Sequence, residues 1–333
     1  MERCDDLSLN LFLPFLAAVA LMLVNGWTDA PVNIATAIRS GAVRPKTAIL
    51  LSAVCNFLGA SAMCIFGSSV AVSIYSISGL TSVRENAAEA LTAAVFAVVI
   101  WSLAALWFGL PTSESHALAA ALTGAAVAVE GFKSVNLVEW GKTALGLLLS
   151  TLPVFLISFA TAKFMQNSFC NLKVNFKKLQ ILGAMLSSFA HGAQDGQKFA
   201  GVLVLNLSLA AAQKGTVNIP LWATVLSAFF ISLGTLLGGK KIIKKFGTLA
   251  PTDPCSGFCS DLVSAVTLLI LSIFGVPAST THAKSSAVMG AGTVNIPFKE
   301  NLTTVKELIT AWVLTFPVSA ALSFFLTQVF INL

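Results

Sequence analysis

Residues 109–125 read GLPTSESHALAAALTGA, and residues 275–291 read GVPASTTHAKSSAVMGA. Both stretches follow the pattern Gly-x-Pro-x-Ser-x-x-His-Ala, and the second begins 166 residues after the first. A shorter pair has the same offset, because GWTD begins at Gly26 and GAQD begins at Gly192. Two separate motifs at one spacing indicate an internal duplication, and a duplication sets the architecture of the whole chain.

The composition places this duplication in a lipid bilayer. Hydrophobic residues make up 56% of the 333 residues and charged residues only 10%, against about 25% charged in ordinary soluble domains. The first ten residues, MERCDDLSLN, are acidic, and no small-residue cleavage site follows the first apolar run. We therefore expect the run from Leu11 to be a membrane helix rather than a signal peptide. The net charge of +6 comes from short loops and does not indicate a nucleic-acid partner.

The apolar runs fall into two sets of five, which predicts an all-α polytopic membrane protein made of two repeats. We expect the first repeat to cover residues 1–164, a cytoplasmic linker to cover 165–179, and the second repeat to cover 180–333. The predicted apolar segments are 11–38, 46–67, 90–108, 112–130 and 143–164 in the first repeat, and 180–205, 220–238, 258–274, 278–292 and 303–330 in the second.

Lysine and arginine positions predict that the two repeats have opposite orientations. The loops 39–46 and 239–257 and the linker are strongly basic, whereas the loops 68–89 and 206–219 are weakly basic. Basic loops face the cytoplasm, so equivalent loops of the two repeats fall on opposite sides of the cytoplasmic membrane and both termini lie outside. Inverted repeats are common in secondary transporters, whose binding site lies near the bilayer midplane between the halves.

Asp29 and Asp195 are the acidic residues that the duplication places in equivalent apolar surroundings. A charged side chain at the bilayer centre costs about 2.5–3.5 kcal/mol on insertion scales, so we expect these carboxylates to bind something. Gly26 and Pro31 flank Asp29, and Gly192 and Gly196 flank Asp195; glycine and proline weaken a helix and free its carbonyl groups. We predict a broken helix in each repeat and an all-oxygen site for Na⁺. Its other predicted ligands are Thr28, Asn33 and Gln194.

The repeated Pro-x-Ser motif suits an anion. Proline beside serine or threonine is typical of a helix N-terminus, where free N–H groups and the helix dipole attract phosphate or sulfate. Each motif and its neighbouring apolar segment could cross the membrane twice, but we predict a re-entrant helical hairpin, because only a hairpin brings both motifs to the depth of the aspartates around one oxyanion. Two capped helix starts with no further role are the alternative. The predicted anion-binding residues are Thr112, Ser113, Ser115, Ser279, Thr280 and Thr281.

Three ionisable residues inside the hairpin motifs are assigned supporting roles. His116 and His282 follow the serines by one turn, and we expect them to hydrogen-bond the hairpin backbone, with proton transfer as the alternative. Glu114 departs from the second copy of the motif. It either serves the cation or faces water.

Two lysines lie close to the predicted site. Lys198 follows Asp195 by one turn, and a plain buried ion pair between them is the alternative to a cation site at that aspartate. Lys284 either adds positive charge near the anion or extends to the cytoplasmic interface.

Four stretches together resemble the inorganic phosphate transporter (PiT) family of cation–phosphate symporters. They are NGWTDAPVNIAT at 25–36, GLPTSESHALAAALTGAA at 109–126, SSFAHGAQDGQKFAG at 187–201 and GVPASTTHAKSSAVMGAG at 275–292. The resemblance covers nearly the whole chain. It implies inverted repeats, outward-facing termini, re-entrant hairpins, a homodimer, and phosphate carried with Na⁺ and no other cofactor. H⁺-coupled transport of phosphate or sulfate is the alternative within the family.

The resemblance also assigns roles to single residues. Asp29 and Asp195 correspond to the paired aspartates of the family's Gly-Ala-Asn-Asp motif. Many relatives have asparagine three residues after the first aspartate. Here Val32 stands at that place with Asn33 beside it, and Lys198 is the equivalent residue of the second repeat. These departures bear on the number of cations and on Na⁺ against H⁺. Further matches to the family motifs are Thr28, Gln194, Ser113, Ser115, Ser279, Thr280 and Thr281.

Two other classes of protein remain as alternatives. An intramembrane serine hydrolase would use Ser113 with His116 or Ser279 with His282, although the sequence has no Gly-x-Ser-x-Gly elbow and a catalytic site needs no inverted second copy. A passive anion channel is disfavoured, because paired aspartates repel anions unless a cation binds with them. The sequence also lacks a Gly-x-x-x-x-Gly-Lys-Ser/Thr loop, so we do not expect an ATP-driven pump.

Overall fold

The computed structural model of the chain consists of helices and their connections throughout the residues it describes. Those residues are 2–67, 69–77, 80, 86–109, 112–169, 174–211, 219–249, 251, 253–295 and 302–333. Within them, six helical segments are long and apolar enough to cross a membrane, and a seventh is added if one bent pair of helices is a single span. The predicted all-α polytopic membrane fold is therefore confirmed.

The described part of the first half contains eight α-helices. They are α1 (Glu2–Thr28), α2 (Val32–Arg39), α3 (Pro45–Phe66), α4 (Ser69–Ile77), α5 (Ala87–Phe108), α6 (Glu114–Glu130), α7 (Leu137–Leu149) and α8 (Leu152–Phe169). The predicted segment 143–164 is thus two helices. Pro153 has no backbone N–H to extend α7, and it fits the first turn of a new helix.

The described part of the second half contains six α-helices. They are α9 (Phe176–Ala211), α10 (Leu221–Leu236), α11 (Lys240–Gly247), α12 (Pro254–Ile273), α13 (Thr280–Gly292) and α14 (Leu302–Ile331). Helix α11 lies in the loop expected at 239–257 and bends by 72° from α10. Helices α6 and α13 begin 166 residues apart, the same offset as the sequence motifs. Four of the basic residues counted for orientation, and the proline of the first hairpin motif, lie outside the described residues: Arg84, Lys173, Lys214, Lys299 and Pro111.

The first half contains the predicted helix break at its aspartate. Helix α1 ends at Thr28, three residues form a turn, and α2 begins at Val32. Pro31 has no N–H to donate and its ring crowds the preceding turn, so it cannot continue α1. The N–H of Val32 instead bonds the carbonyl of Asp29 at 3.2 Å, a contact one residue shorter than the α-helical step. The break puts Asp29 at the junction of two helices inside the protein.

The break predicted at Asp195 is absent, and that prediction was wrong. Helix α9 runs without interruption through this residue. Gly192 and Gly196 instead allow close contact with α3. A Cβ on Gly192 would lie 2.7 Å from the Cα of Asn56, and one on Gly196 would lie 3.0 Å from the Cα of Ala60. These glycines are needed for helix packing, and a well-packed α-helix keeps its internal hydrogen bonds.

Each hairpin motif connects a long helix to a shorter one. Gly109 and Gly275 end α5 and α12 with φ of +67° and +68°, a left-handed conformation that favours glycine. Helices α6 and α13 have 17 and 13 residues, so they extend about 25 Å and 20 Å at 1.5 Å per residue. A bilayer core is about 30 Å thick, so these two helices are too short to cross it.

The two halves interlock through equivalent pairs of helices. Helix α1 packs on α10 while α9 packs on α3, and α6 packs on α14 while α13 packs on α8. Residues from both halves consequently form the same buried centre. The aspartates of α1–α2 and α9 and the starts of α6 and α13 all lie in this centre.

Candidate functional site

Asp29 and Asp195 meet in the interior. One oxygen of each carboxylate and one ring nitrogen of His191 lie within 4.8 Å of one another. The two aspartates are 3% and 1% exposed. The structure therefore brings together two carboxylates from opposite halves of the chain and closes them off from solvent in this conformation. We call Asp29, Glu114, His191, Asp195 and Lys198 the carboxylate cluster.

Asp195 has partners on both carboxylate oxygens. Its Oδ1 accepts a hydrogen bond from Lys198 Nζ at 2.7 Å, and its Oδ2 accepts one from Asn25 Nδ2 at 3.1 Å. The hydroxyl of Thr280 and Nε2 of His191 lie 3.4 Å and 3.3 Å from the same Oδ2. The ion pair considered as the alternative at this aspartate is thus present, within a network that reaches α1 and α13.

Lys198 connects the cluster to both hairpins. Its ammonium donates to Oδ1 of Asp195, to Oγ of Ser115 at 2.5 Å and to the carbonyl of Ala278 at 2.6 Å. Ser115 belongs to the first turn of α6, and Ala278 lies just before α13. Because one nitrogen bonds both residues, the two hairpin starts lie within about 5 Å of each other at this point.

Asp29 differs from Asp195 because part of its carboxylate has no partner. Its Oδ2 is buried without a hydrogen bond among the described residues, as are Asn25 Oδ1, Glu114 Oε2 and Thr281 Oγ1. Glu114 and Thr281 are close neighbours of Asp29. Buried polar atoms are nearly always hydrogen-bonded, so four unsatisfied oxygens in one region suggest a bound species. An oxygen-only set of carboxylate, amide and hydroxyl groups suits a hard cation such as Na⁺.

Glu114 is held inside the protein rather than in water. It is buried, and its Oε1 lies 2.6 Å from the hydroxyl of Thr28 at the end of α1. The same hydroxyl lies 2.9 Å from the carbonyl of Val24. Of the two roles expected for Glu114, the water-facing one is excluded, and the residue adds a third carboxylate to the buried centre.

The predicted anion-binding hydroxyls divide into three groups. Ser113 and Ser279 cap α6 and α13, each accepting from the backbone N–H three residues on, at 3.3 Å and 3.1 Å. Ser115 and Thr280 contact Lys198 and Asp195, and Thr281 lies beside Asp29. Thr112 lines a separate cavity of about 640 Å³ between α5 and α14. The capped helix starts are real, and their next residues contact the carboxylate cluster.

His116 and His282 do not hydrogen-bond the hairpin backbone, so that prediction was wrong. All four ring nitrogens lack a hydrogen-bond partner among the described residues. The two rings pack against each other with centroids 4.7 Å apart, and they are sandwiched between Phe316 and Trp312 of α14. The structure therefore has no hydrogen bond from either imidazole to Ser113 or to its equivalent in the second hairpin, as a serine hydrolase would require.

Gln194 and Asn33 were predicted as cation ligands, and both are bonded elsewhere. The amide of Gln194 donates to the carbonyl of Val276 at 3.1 Å and accepts from the hydroxyl of Ser272. Oδ1 of Asn33 accepts from the hydroxyl of Ser187 at 2.9 Å. Gln194 therefore positions the second hairpin, and Asn33 connects α2 to α9.

A second buried ion pair was not predicted from the sequence. Asp261 of α12 pairs with Lys284 of α13, and both side chains are fully buried. Thr36 of α2 donates to the same carboxylate at 2.8 Å, and Lys284 also reaches the carbonyl of Asn33 at 3.4 Å. Lys284 is therefore not at the membrane interface. The available signal was one acidic residue inside an apolar segment, Asp261 within 258–274.

Asn25 and His191 were also not assigned to the site, although the duplication marks them. They occupy equivalent positions, 166 residues apart, directly before the repeated glycine. Both approach Oδ2 of Asp195. His191 also contacts Asn56 through Nδ1 at 2.8 Å, so it links α9 to α3. Both residues would have entered the predicted site if the comparison of GWTD with GAQD had been extended by one position toward the N-terminus.

Comparison with known proteins gives a consistent result. The sequence profile described as "Phosphate transporter family" matches residues 25–174 and 167–323. The chain is 32% identical to a "Probable low-affinity inorganic phosphate transporter" of Bacillus subtilis (strain 168) over 96% of both chains. A protein of the same name from Rhizobium meliloti (strain 1021) is 31% identical, with 92% of this chain and 93% of the relative covered. A solved structure named "The sodium-dependent phosphate transporter" superimposes with a TM-score of 0.82 at 24% identity, covering 96% of this chain and 98% of that chain, so it shares the fold.

Proposed function

The chain belongs to the phosphate transporter family, and we propose that it is a secondary transporter that imports inorganic phosphate by symport with Na⁺ across the cytoplasmic membrane. The family consists of transporters rather than enzymes. The observation that carries the proposal is the set of unpartnered buried oxygens around Asp29, beside two converging helix starts. The first feature suits a cation and the second an oxyanion.

The charges of the buried centre support cation coupling. Among the described residues it contains the carboxyl groups of Asp29, Glu114 and Asp195 but one lysine, Lys198. Unpaired buried carboxylates are costly, so the excess negative charge favours a Na⁺ ion at Asp29. The unsatisfied oxygens of Asn25, Glu114 and Thr281 complete the proposed coordination.

The phosphate is proposed to bind where the N-termini of α6 and α13 converge. Free N–H groups and the helix dipoles attract a tetrahedral oxyanion, and the hydroxyls of Ser113 and Ser279 keep a proton to donate while they cap their helices. The nearby carboxylates repel phosphate until a cation neutralises them. Binding of Na⁺ and of phosphate is therefore mutually favourable, which is the linkage that symport needs.

The architecture is proposed to be two inverted repeats, 1–164 and 180–333, joined by a cytoplasmic linker, 165–179. The equal offsets of helices and motifs and the reciprocal packing of the halves support it. Re-entrant hairpins are supported by the short α6 and α13. The loop charges support termini on the outer side. A homodimer is proposed on the family resemblance alone.

H⁺-coupled transport of phosphate or sulfate is a second candidate. Glu114 favours it, because this buried carboxyl lies 2.6 Å from Thr28 and adds negative charge beside Asp29. A proton on either carboxyl removes the same charge that a Na⁺ ion would balance. The hydroxyl and N–H donors at the hairpin starts suit sulfate as well as phosphate, since both are tetrahedral oxyanions.

The test is uptake of radiolabelled phosphate into proteoliposomes containing the purified protein. We expect an inward Na⁺ gradient to drive uptake and Asp29→Asn to abolish it, because the amide cannot balance the cation charge. Asp253→Asn is the matched control, since Asp253 caps α12 outside the cluster and asparagine also caps helices well. Uptake that ignores Na⁺ but follows a pH gradient would support H⁺ coupling, and competition by sulfate would identify a broader anion specificity. Full Na⁺-driven uptake by Asp29→Asn would refute the cation site.

A further inference from the structure

The surroundings of the Lys198 ammonium resemble a cation-binding site rather than an ordinary surface ion pair. The side chain is 1% exposed and lies midway along α9. Its three bonds go to a carboxylate oxygen of Asp195, a hydroxyl oxygen of Ser115 and a main-chain carbonyl oxygen of Ala278. Carboxylate, hydroxyl and carbonyl oxygens are also the ligands with which transporters coordinate Na⁺.

The equivalent position of the first repeat shows what the site lacks without a lysine. Lys198 stands three residues after Asp195, and its equivalent, Val32, stands three residues after Asp29. The first aspartate therefore has no lysine beside it in sequence and keeps an unpartnered oxygen, whereas both oxygens of the second are bonded. Two equivalent carboxylates thus have one open cation position and one position filled by an ammonium.

We propose that Lys198 is a tethered substitute for a coupling cation, so that the transporter binds one Na⁺ per phosphate from solution, at Asp29. This inference rests on the proposed function. The covalently attached ammonium balances the charge of Asp195 in every step of the cycle and cannot be released. The chain consequently couples transport to one cation fewer than two open aspartate sites would.

A direct phosphate ligand is the competing role for Lys198, and the hydrogen bonds argue against it. A lysine ammonium has three N–H donors. All three are used by Asp195, Ser115 and Ala278, so none remains for a phosphate oxygen. The bonds to Ser115 and Ala278 instead hold the two hairpin starts at the distance where an anion can bridge them.

The first experiment measures coupling in the wild-type protein, where folding is not in question. Uptake of radioactive Na⁺ and uptake of radioactive phosphate into proteoliposomes are measured in parallel under identical conditions. We expect a flux ratio of about one Na⁺ per phosphate and a Hill coefficient for Na⁺ of about one. If phosphate uptake depends on Na⁺ but two or more Na⁺ ions enter per phosphate, the role assigned to Lys198 is wrong while the proposed function still holds. Phosphate uptake without any Na⁺ dependence would instead overturn the proposed function.

The second experiment removes the ammonium. Lys198→Met keeps an unbranched side chain without charge, and Lys198→Asn offers an amide oxygen in a smaller volume. We expect the Hill coefficient for Na⁺ to rise toward about two and half-saturation to need several-fold more Na⁺, in uptake and in phosphate-dependent thermal stabilisation. Lys142→Met is the control, since Lys142 is half exposed and pairs with Glu139 one turn away, outside the carboxylate cluster. If either variant shows an unchanged Hill coefficient with weaker phosphate binding at saturating Na⁺, Lys198 is a phosphate ligand and the inference is wrong.

Discussion

Replacing Gly192 by alanine is expected to destabilise the transporter through one helix contact. Gly192 lies where α9 touches α3, and the contact continues at Gly196 one turn later. A Cβ on Gly192 would lie 2.7 Å from the Cα of Asn56 and closer still to its carbonyl oxygen. The backbone of α3 cannot rotate away as a flexible side chain would, so the two helices must separate.

The size of the effect follows from these distances. Ordinary contact begins near 3.4 Å, so the Cα of Asn56 alone requires the helices to part by about 0.7 Å, and its closer carbonyl oxygen requires more. Overpacking of this kind costs about 1–3 kcal/mol. The 2.8 Å hydrogen bond between Asn56 and His191 crosses the same interface, and its weakening adds about 1 kcal/mol. We therefore expect a loss of about 2–4 kcal/mol in stability, and weaker phosphate uptake because His191 also contacts Asp195.

Thermal unfolding in detergent, followed by size-exclusion chromatography, measures the first effect, and proteoliposome uptake measures the second. Gly141→Ala is the matched control, because a Cβ on that helical residue of α7 meets nothing within 4 Å. Alanine is the better helix former by about 1 kcal/mol, so this control should melt at or above the wild-type temperature. Equal melting of Gly192→Ala and Gly141→Ala would refute the close α3–α9 contact.

Two further predictions concern buried side chains away from the carboxylate cluster. Asp261→Asn or Lys284→Met leaves one buried charge unpaired and should lower the free energy of unfolding by about 3–5 kcal/mol. The double variant should lose less stability than either single variant. Additive losses in a double-mutant cycle followed by thermal melting would contradict the pairing. Exchanging both His116 and His282 for phenylalanine should retain the ring stack and remove only unbonded nitrogens, so melting temperature and phosphate uptake should stay near wild type. Loss of uptake with normal melting would assign these histidines a role in proton transfer.

The meeting of Asp29 and Asp195 could be anticipated from sequence because two independent signals agree on it. Both residues lie in apolar surroundings where a carboxylate is costly, and each is the last residue of a four-residue motif that is repeated at an offset of 166. Duplicated chains tend to pack equivalent segments around a common axis, so equivalent polar residues are placed near each other. The hairpin starts followed from the same reasoning, since proline beside serine indicates a helix N-terminus wherever it occurs.

The continuity of α9 could not be anticipated, because glycine has two opposite uses in a membrane helix. It weakens the helix, and it allows another helix to approach closely. Which use applies at Gly192 depends on whether Asn56 lies against it, and that is a property of the fold. The ion pair of Asp261 could not be predicted for a related reason. Its partner, Lys284, belongs to the next helix, and no spacing within one helix reveals that contact.

The difference between the broken α1–α2 pair and the unbroken α9 has a consequence for direction. In a carrier made of two identical inverted halves, the outward-facing and inward-facing forms would be related by a two-fold rotation and would have equal energy. Here a three-residue turn separates α1 from α2, whereas α9 is continuous through Asp195, so the two orientations of the empty protein are expected to differ in energy. Even without a gradient, its vacant form is then expected to spend more time open to one compartment than to the other.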